Sequence, residues 1–351
     1  MTAAHTDVRR AAAAKNLDAG ARPRGSPVGM TLVEMLVVVA IIAVLAATLL
    51  PSIQASRDGS RRTSCGNNLR QIVVALQAHE TALGRLPPGS VAKEYPASPE
   101  TAWTFYRWSA LAMVSPYLEN SAALGALDLT KPLYSITLTV TPENVAGAQI
   151  VVPTFLCPSD RGVRVHPGFG PTNYAVNAGS GLGGGTPEAT DGVFYVNSRT
   201  RIGDITDGTS HTVALSESIL GAKGTGTRNA DEAYKFVFAT PLSESACNTP
   251  LLWNYQDPRG FAWVSGEYRC ALYNHFLTPN AATHDCISNR VSGPPESKYV
   301  PFGWRAARSR HRGGVNVALA DGAVRFVEDG VDAAVWKAGA TRAGGEAVAL
   351  P

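Results

Sequence analysis

Between Met30 and Ser56 the one charge is Glu34, and residues 29–51 are otherwise apolar or small. About 20 apolar residues span the hydrocarbon of a bilayer, so this run predicts a transmembrane helix. Further on, Leu69, Ile72, Val73 and Leu76 fall at i, i+3, i+4 and i+7, the stripe of an amphipathic helix. Arg57, Arg61, Arg62 and Arg70 place that second stretch in water. The two patterns join into one long helix over residues 30–85, transmembrane to about residue 52 and amphipathic beyond. Pro51 predicts a kink where the apolar part ends, and Leu86-Pro87-Pro88-Gly89 stops the helix.

After Pro88 no second apolar run occurs, so a single membrane pass is expected. Residues 111–118 read as a short helix ended near Pro116. Residues 155–160 enter a turn, and residues 192–196 and 211–215 read as β-strands. Residues 204–210 are turn chemistry, or a helix start capped by Asp204 or Thr206. Val315, Val317 and Leu319 alternate, as do Val324 and Phe326, with Asp321-Gly322 between them. That pattern predicts a hairpin over residues 315–327 closed by a two-residue turn. Residues 86–330 thus form an exported α+β domain, dominated by antiparallel sheet, against which the amphipathic half of the helix packs. Residues 331–351 read as a C-terminal tail.

Residues 1–28 carry Arg9, Arg10, Lys15, Arg22 and Arg24 against Asp7 and Asp18, with no apolar period. They read as a disordered segment held on the cytoplasmic side. The net charge of +3 gives no basic face, which removes nucleic acid as a partner. The 34 glycines and 23 prolines favour short strands and many turns over a helical bundle. Five cysteines, Cys65, Cys157, Cys247, Cys270 and Cys286, show no CxxC spacing and suggest no structural zinc site. An ordinary signal peptide has an apolar region of about 7–15 residues, shorter than the run here. A carboxylate within such a run is expensive and marks function.

Gly29-Met30-Thr31-Leu32-Val33-Glu34 resembles the cleavage and methylation site of type IV prepilins and pseudopilins. Counted from Met30, Glu34 is fifth and Pro51 twenty-second, positions that match the family pattern; Met30 stands where phenylalanine is usual. The resemblance implies that a prepilin peptidase removes residues 1–29 by cutting after Gly29, and that it methylates the new amino terminus on Met30. It implies that Glu34 pairs with the amino terminus of a neighbouring pilin-like subunit. The protein would then be a single-pass protein of the inner (cytoplasmic) membrane, its C-terminal domain in the periplasm or at the cell surface.

A second resemblance lies further along the chain. His311, then nine residues, then Asp321-Gly322, is similar to the C-terminal signature of a family of prepilin-processed proteins, the domain of unknown function 1559. Cys65-Gly66-Asn67-Asn68-Leu69-Arg70-Gln71, Phe155-Leu156-Cys157-Pro158-Ser159-Asp160, Thr172-Asn173-Tyr174-Ala175, Ile205-Thr206-Asp207-Gly208-Thr209-Ser210 and Pro279-Asn280 agree with it. The similarity runs from Gly29 to about Glu328. This family has no assigned activity. Because Cys65 and Cys157 both lie in matching segments, the resemblance implies a bridge tying helix to sheet. The alternative is that Cys65 is a small buried hydrophobe. Cys286 pairs with Cys247 or with Cys270, leaving one free or intermolecular thiol.

His311 and Asp321 are candidates for an acid–base or metal pair, but no third ligand or nucleophile accompanies them in the sequence, so the expected roles are a backbone contact for His311 and turn formation for Asp321. Residues 179–184 match G-x-G-x-x-G by letter without the βα context of a nucleotide site, and read as a flexible loop. His275, His284, Asp285, Cys270 and Cys286 cluster in sequence; a disulfide with surface histidines is expected there rather than a metal. No G-x-S-x-G, H-E-x-x-H or EF-hand loop is present, so no enzymatic activity and no cofactor is expected. The function expected is a pilin-like structural subunit. The alternative is a membrane-anchored module that binds a polysaccharide or another extracellular ligand, with Trp103, Trp108, Trp253, Trp263 and Trp304 as stacking surfaces.

Overall fold

A computed structural model describes residues 29–97, 104–118, 125–186, 188, 190–222, 229, 231–289, 301–346 and 350–351. The leader up to residue 28 and Trp103 lie outside the described residues. The chain divides into two units, residues 1–53 and 54–351.

Helix α1 runs from Leu32 to Leu83, through Pro51 without interruption. Its start is a capping box. The Thr31 hydroxyl accepts the Glu34 N–H at 3.3 Å, and the Glu34 carboxylate accepts the Thr31 N–H at 2.8 Å. Among the described residues α1 is the one helix long and apolar enough to cross a membrane.

In the second unit the α1 side chains Leu69, Ile72, Val73 and Leu76 are buried. At about 1.5–3 kcal/mol each, that stripe contributes on the order of 6–12 kcal/mol before ordering costs. The remainder is α+β. Short helices α2 (Ala110–Val114) and α3 (Val145–Ala148) precede strands β1 (Tyr174–Asn177), β2 (Val213–Glu217) and β3 (Tyr234–Val237). Then follow α4 (Glu244–Asn248), β4 (Leu252–Trp253), β5 (Leu272–Tyr273), β6 (Asp285–Asn289), β7 (Pro301–Trp304), β8 (Gly314–Leu319), β9 (Val324–Glu328) and α5 (Ala333–Ala338). One sheet has the order β5-β1-β2-β8-β9 and the other β4-β3-β6-β7. Pairing is antiparallel except for β1–β5 and β3–β6.

Both faces of the five-stranded sheet are covered. Tyr174, Val176, Leu215 and Ala318 join the α1 stripe in one core, while Val315, Val317, Leu319 and Val327 join Trp336 of α5 and Leu350 in another. The alternation in β8 therefore points its large residues away from α1 and its small ones toward it. Trp336 and Leu350, in the stretch expected as a C-terminal tail, are consequently part of the core: Trp336 is fully buried and its indole N–H donates to the Leu277 carbonyl at 2.9 Å.

Three local expectations shift. Residues 192–196 form no strand; only Val196 bridges, to Ser90. The strand expected at 211–215 lies two residues later, because residues 206–211 are consumed by turns. The hairpin closes through three residues, Ala320-Asp321-Gly322: the Gly322 N–H donates to Leu319 O, and the Leu319 N–H to Ala323 O. Only Gly322 takes a positive φ, +94°, which is a type I turn followed by a left-handed residue.

Candidate functional site

Cys65 lies on the buried face of α1, one helical turn before Leu69. Its sulfur is bonded to that of Cys157, with Cα atoms 4.9 Å apart across 92 residues of sequence. Cys157 follows a short 3-10 turn, Pro153–Phe155, and its N–H donates to the Asn173 side chain at 3.1 Å. The side chain of Asn68 donates to the Leu156 carbonyl at 2.8 Å, and the Tyr174 hydroxyl to the Cys65 carbonyl at 3.2 Å. Burial, and then the Glu217 carboxylate, push the Tyr174 phenol well above its usual range, so it acts as a donor.

Two further side chains close on this bridge. Glu217, the last residue of β2, is buried, and its carboxylate accepts the Asn316 N–H at 2.7 Å and the Asn316 side-chain N–H at 2.9 Å. His311, three residues before β8, places Nε2 3.0 Å from Glu217 Oε1 and 3.8 Å from Cys157 Sγ. The four potential ligand atoms of Cys65, Cys157, Glu217 and His311 lie within 4.8 Å of one another. His311 therefore has a buried partner that sequence reading missed. Nothing local announces it, since 94 residues separate Glu217 from His311.

Asp321 is not part of this group. It lies past the far end of β8, where its carboxylate accepts the Ala323 N–H at 2.8 Å and shapes the hairpin loop. Around the cluster, the other motif residues tie loops together. Asn173 donates to Asp160 at 2.7 Å, and Asn280 donates to Asp329 at 2.7 Å and accepts the Ser309 N–H. Asp207 accepts the N–H groups of Gly344 and Gly345 and the Thr341 hydroxyl. Burial pushes the Asp207 carboxyl up, but those donors hold it below its ordinary range.

The stretch from Cys270 to Cys286 does not converge. Cys286 is bonded to Cys247, and Cys270 is a buried free thiol, pushed well above its usual range by burial and then by Glu267. His275 is not a surface residue. It stacks on Trp336 with ring centroids 3.6 Å apart and shares hydrogen bonds with Trp336 O and the Tyr273 hydroxyl. Burial lowers its pKa to about 3. Half-buried His284 meets the edge of Trp253, and Asp285 pairs with Arg259 and Arg308. The glycine-rich loop follows β1, and among the described residues the next helical turn is the short 3-10 stretch Ile202–Asp204; Ser180 ties the loop to Asp191.

The tryptophans expected as stacking surfaces are mostly interior. The indole N–H groups of buried Trp108, Trp263 and Trp304 donate to the carbonyls of Lys131, Ile150 and Gly181. A separate cleft of about 710 Å³ is lined instead by Phe105, Tyr134, Phe169, Tyr255 and Phe261, among others. Beside it Arg107 pairs with Glu267 at 3.0 Å, and Arg269 pairs with the same carboxylate.

Residues 54–334 match the family described as protein of unknown function (DUF1559). No curated protein and no solved structure matches the chain. Since the match covers more than half of the chain, the chain belongs to that family.

Proposed function

We propose that this member of the DUF1559 family is a pilin-like structural subunit, cut after Gly29 by a prepilin peptidase and anchored, then assembled, through α1. The observation that carries the reading is one helix with two environments. Its first part, residues 32–53, exposes Leu36, Val39, Ile42 and Leu45 and carries the single carboxylate of Glu34 in its first turn. Its later part sinks Leu69, Ile72 and Leu76 into the β-sheet unit. A helix exposed on all sides in water would lose the hydrophobic contribution of about 25 cal/mol per Å², so the first part belongs in lipid or against other helices. Glu34 caps its own helix through Thr31 in the single chain. In an assembly the same carboxylate is placed to meet the new amino terminus of a neighbour, which supplies a positive partner in a dry setting. The subunit resides in the inner membrane with residues 86–351 exported, and no catalytic step is assigned to any residue.

The test is mass spectrometry of the protein extracted from membranes. The expected first residue is N-methylated Met30. A mature chain beginning beyond Ala47 would point to ordinary signal peptidase and end the reading. Imaging of material sheared from the cell surface, with antibody location of the protein, then decides whether filaments contain it.

The cleft at Phe105, Tyr134 and Phe261 favours a second reading, an anchored module that binds an extracellular ligand such as a polysaccharide. Aromatic walls beside fixed polar groups are the usual make-up of a ligand site. Full-length protein in detergent, applied to a glycan array, separates this reading from a purely structural one.

A further inference from the structure

We propose that the dithiol form of Cys65 and Cys157, together with Glu217 and His311, binds a divalent zinc ion. The donor set and its spacing both point there. Two thiolates, an imidazole and a carboxylate are all ligands of zinc. A tetrahedron on bonds of about 2.0–2.3 Å has edges of roughly 3.3–3.8 Å. Cys157 Sγ already lies 3.8 Å from His311 Nε2 and 4.0 Å from Glu217 Oε1, and the latter two atoms are 3.0 Å apart. Two edges must grow: Cys65–Cys157, from a covalent bond to a non-bonded contact, and His311–Glu217, by a few tenths of an ångström.

The surroundings hold these donors in place. Asn316 grips both oxygens of Glu217, the orienting contact that ligating carboxylates need. Asn173 fixes the backbone of Cys157, and the Ser309 hydroxyl accepts the His311 N–H at 3.0 Å. His311 is the half-buried member of an otherwise buried group, which gives the ion an entry side.

An external dithiol passes two electrons and two protons to the bridge, becoming a disulfide, and leaves two thiols on the protein. Zinc displaces both thiol protons to water. The imidazole carries its proton on Nδ1 in that state, freeing Nε2 for the metal. Bridge and metal are exclusive: the bridge ties α1 to the Cys157 segment, and the metal would tie both of these to the end of β2 and the segment before β8. The bridge belongs to oxidising surroundings and the metal to reducing ones.

The test uses full-length protein in detergent, reduced anaerobically with a dithiol that is then removed, and titrated with cobalt(II) as a coloured stand-in. One cobalt per chain is expected, with thiolate charge-transfer and tetrahedral ligand-field bands that zinc abolishes. Unreduced protein should bind none. His311→Ala and Glu217→Gln should each weaken binding at least about tenfold, and His311→Asp should restore part of it with shifted bands. Cys247→Ser/Cys286→Ser should leave the spectrum intact. Absence of tetrahedral bands in the reduced wild type overturns the proposal, whether or not that form stays folded. So do bands that survive His311→Ala unchanged, or that vanish in the Cys247→Ser/Cys286→Ser protein.

Discussion

Replacing Cys65 and Cys157 together by alanine should lower the stability of the oxidised protein by about 4.6 kcal/mol. That figure follows from the 92-residue separation of the two cysteines in the chain-entropy relation. The Cys247–Cys286 bridge spans 39 residues and should contribute about 3.9 kcal/mol by the same relation. The two loops do not overlap in sequence, so their effects should add. With a urea slope of about 3 kcal/mol per molar, losing the first bridge moves the midpoint down by roughly 1.5 M. Tryptophan fluorescence of the full-length protein in detergent reads this directly, because Trp108, Trp263 and Trp336 are buried in the folded unit. Adding a reductant should bring the wild type down toward a variant that combines Cys65→Ala/Cys157→Ala with Cys247→Ser/Cys286→Ser, and should leave that variant unmoved. A midpoint for Cys65→Ala/Cys157→Ala within about 0.3 M of the oxidised wild type, at unchanged slope, would refute the constraint argument, since about 1 kcal/mol or less would then be at stake.

Leu76→Asp should cost several kcal/mol, on the scale of about 3–5 for an unpaired buried charge, and an unchanged melting temperature would remove the claim that α1 packs on the sheet. Gly29→Arg should leave the precursor at full length on a denaturing gel, with normal cleavage counting against prepilin processing. Gly322→Val should lose about 1–3 kcal/mol because φ is +94° there, while Gly322→Asn should lose less; equal melting points for both would contradict the turn assignment. Buried His275, with its pKa lowered to about 3, stays neutral in the fold while the unfolded imidazole protonates below about 6.5. The unfolded state then binds more protons, so stability should fall by about 1.4 kcal/mol per pH unit from about pH 6.5 down toward 3. His79, lowered mainly by burial, acts in the same direction. His275→Phe should flatten that dependence, and parallel stability profiles for the two proteins would exclude His275 as its source.

Long, periodic features were legible in the sequence. The four α1 residues picked by period alone are all buried, and the α+β class with mostly antiparallel pairing follows from short strands between turn residues. What was not legible depends on contacts between distant segments. The alternation in β8 shows that one face is apolar but not which layer covers it, and the layer is α5, whose six residues are too short for a helical period to register. The three-residue hairpin escaped for a local reason: Asp-Gly suits two turn geometries, and only pairing register separates them. His275 was misplaced because nothing adjacent in the sequence shows that Trp336, 61 residues later, is brought over its ring.

The motif residues make the same point about chemistry. Asn68, Asn173, Asp207 and Asn280 each give their polar atoms to the backbone or side chain of another segment, so their pattern describes the joints of this fold. A group spent in that way has nothing left for a ligand. His311 and Asp321 look like a pair in the sequence, yet β8 separates them by roughly 20 Å at about 3.3 Å per residue. Asp321 is spent on its own turn, as the joints are. His311 instead faces a carboxylate and two sulfurs, groups with lone pairs and no backbone duty beyond Asn316. A site needs converging donors that the fold has not already used; among the described residues His, Cys and Glu side chains converge here, and the two sulfurs become free for a ligand once their bridge is reduced.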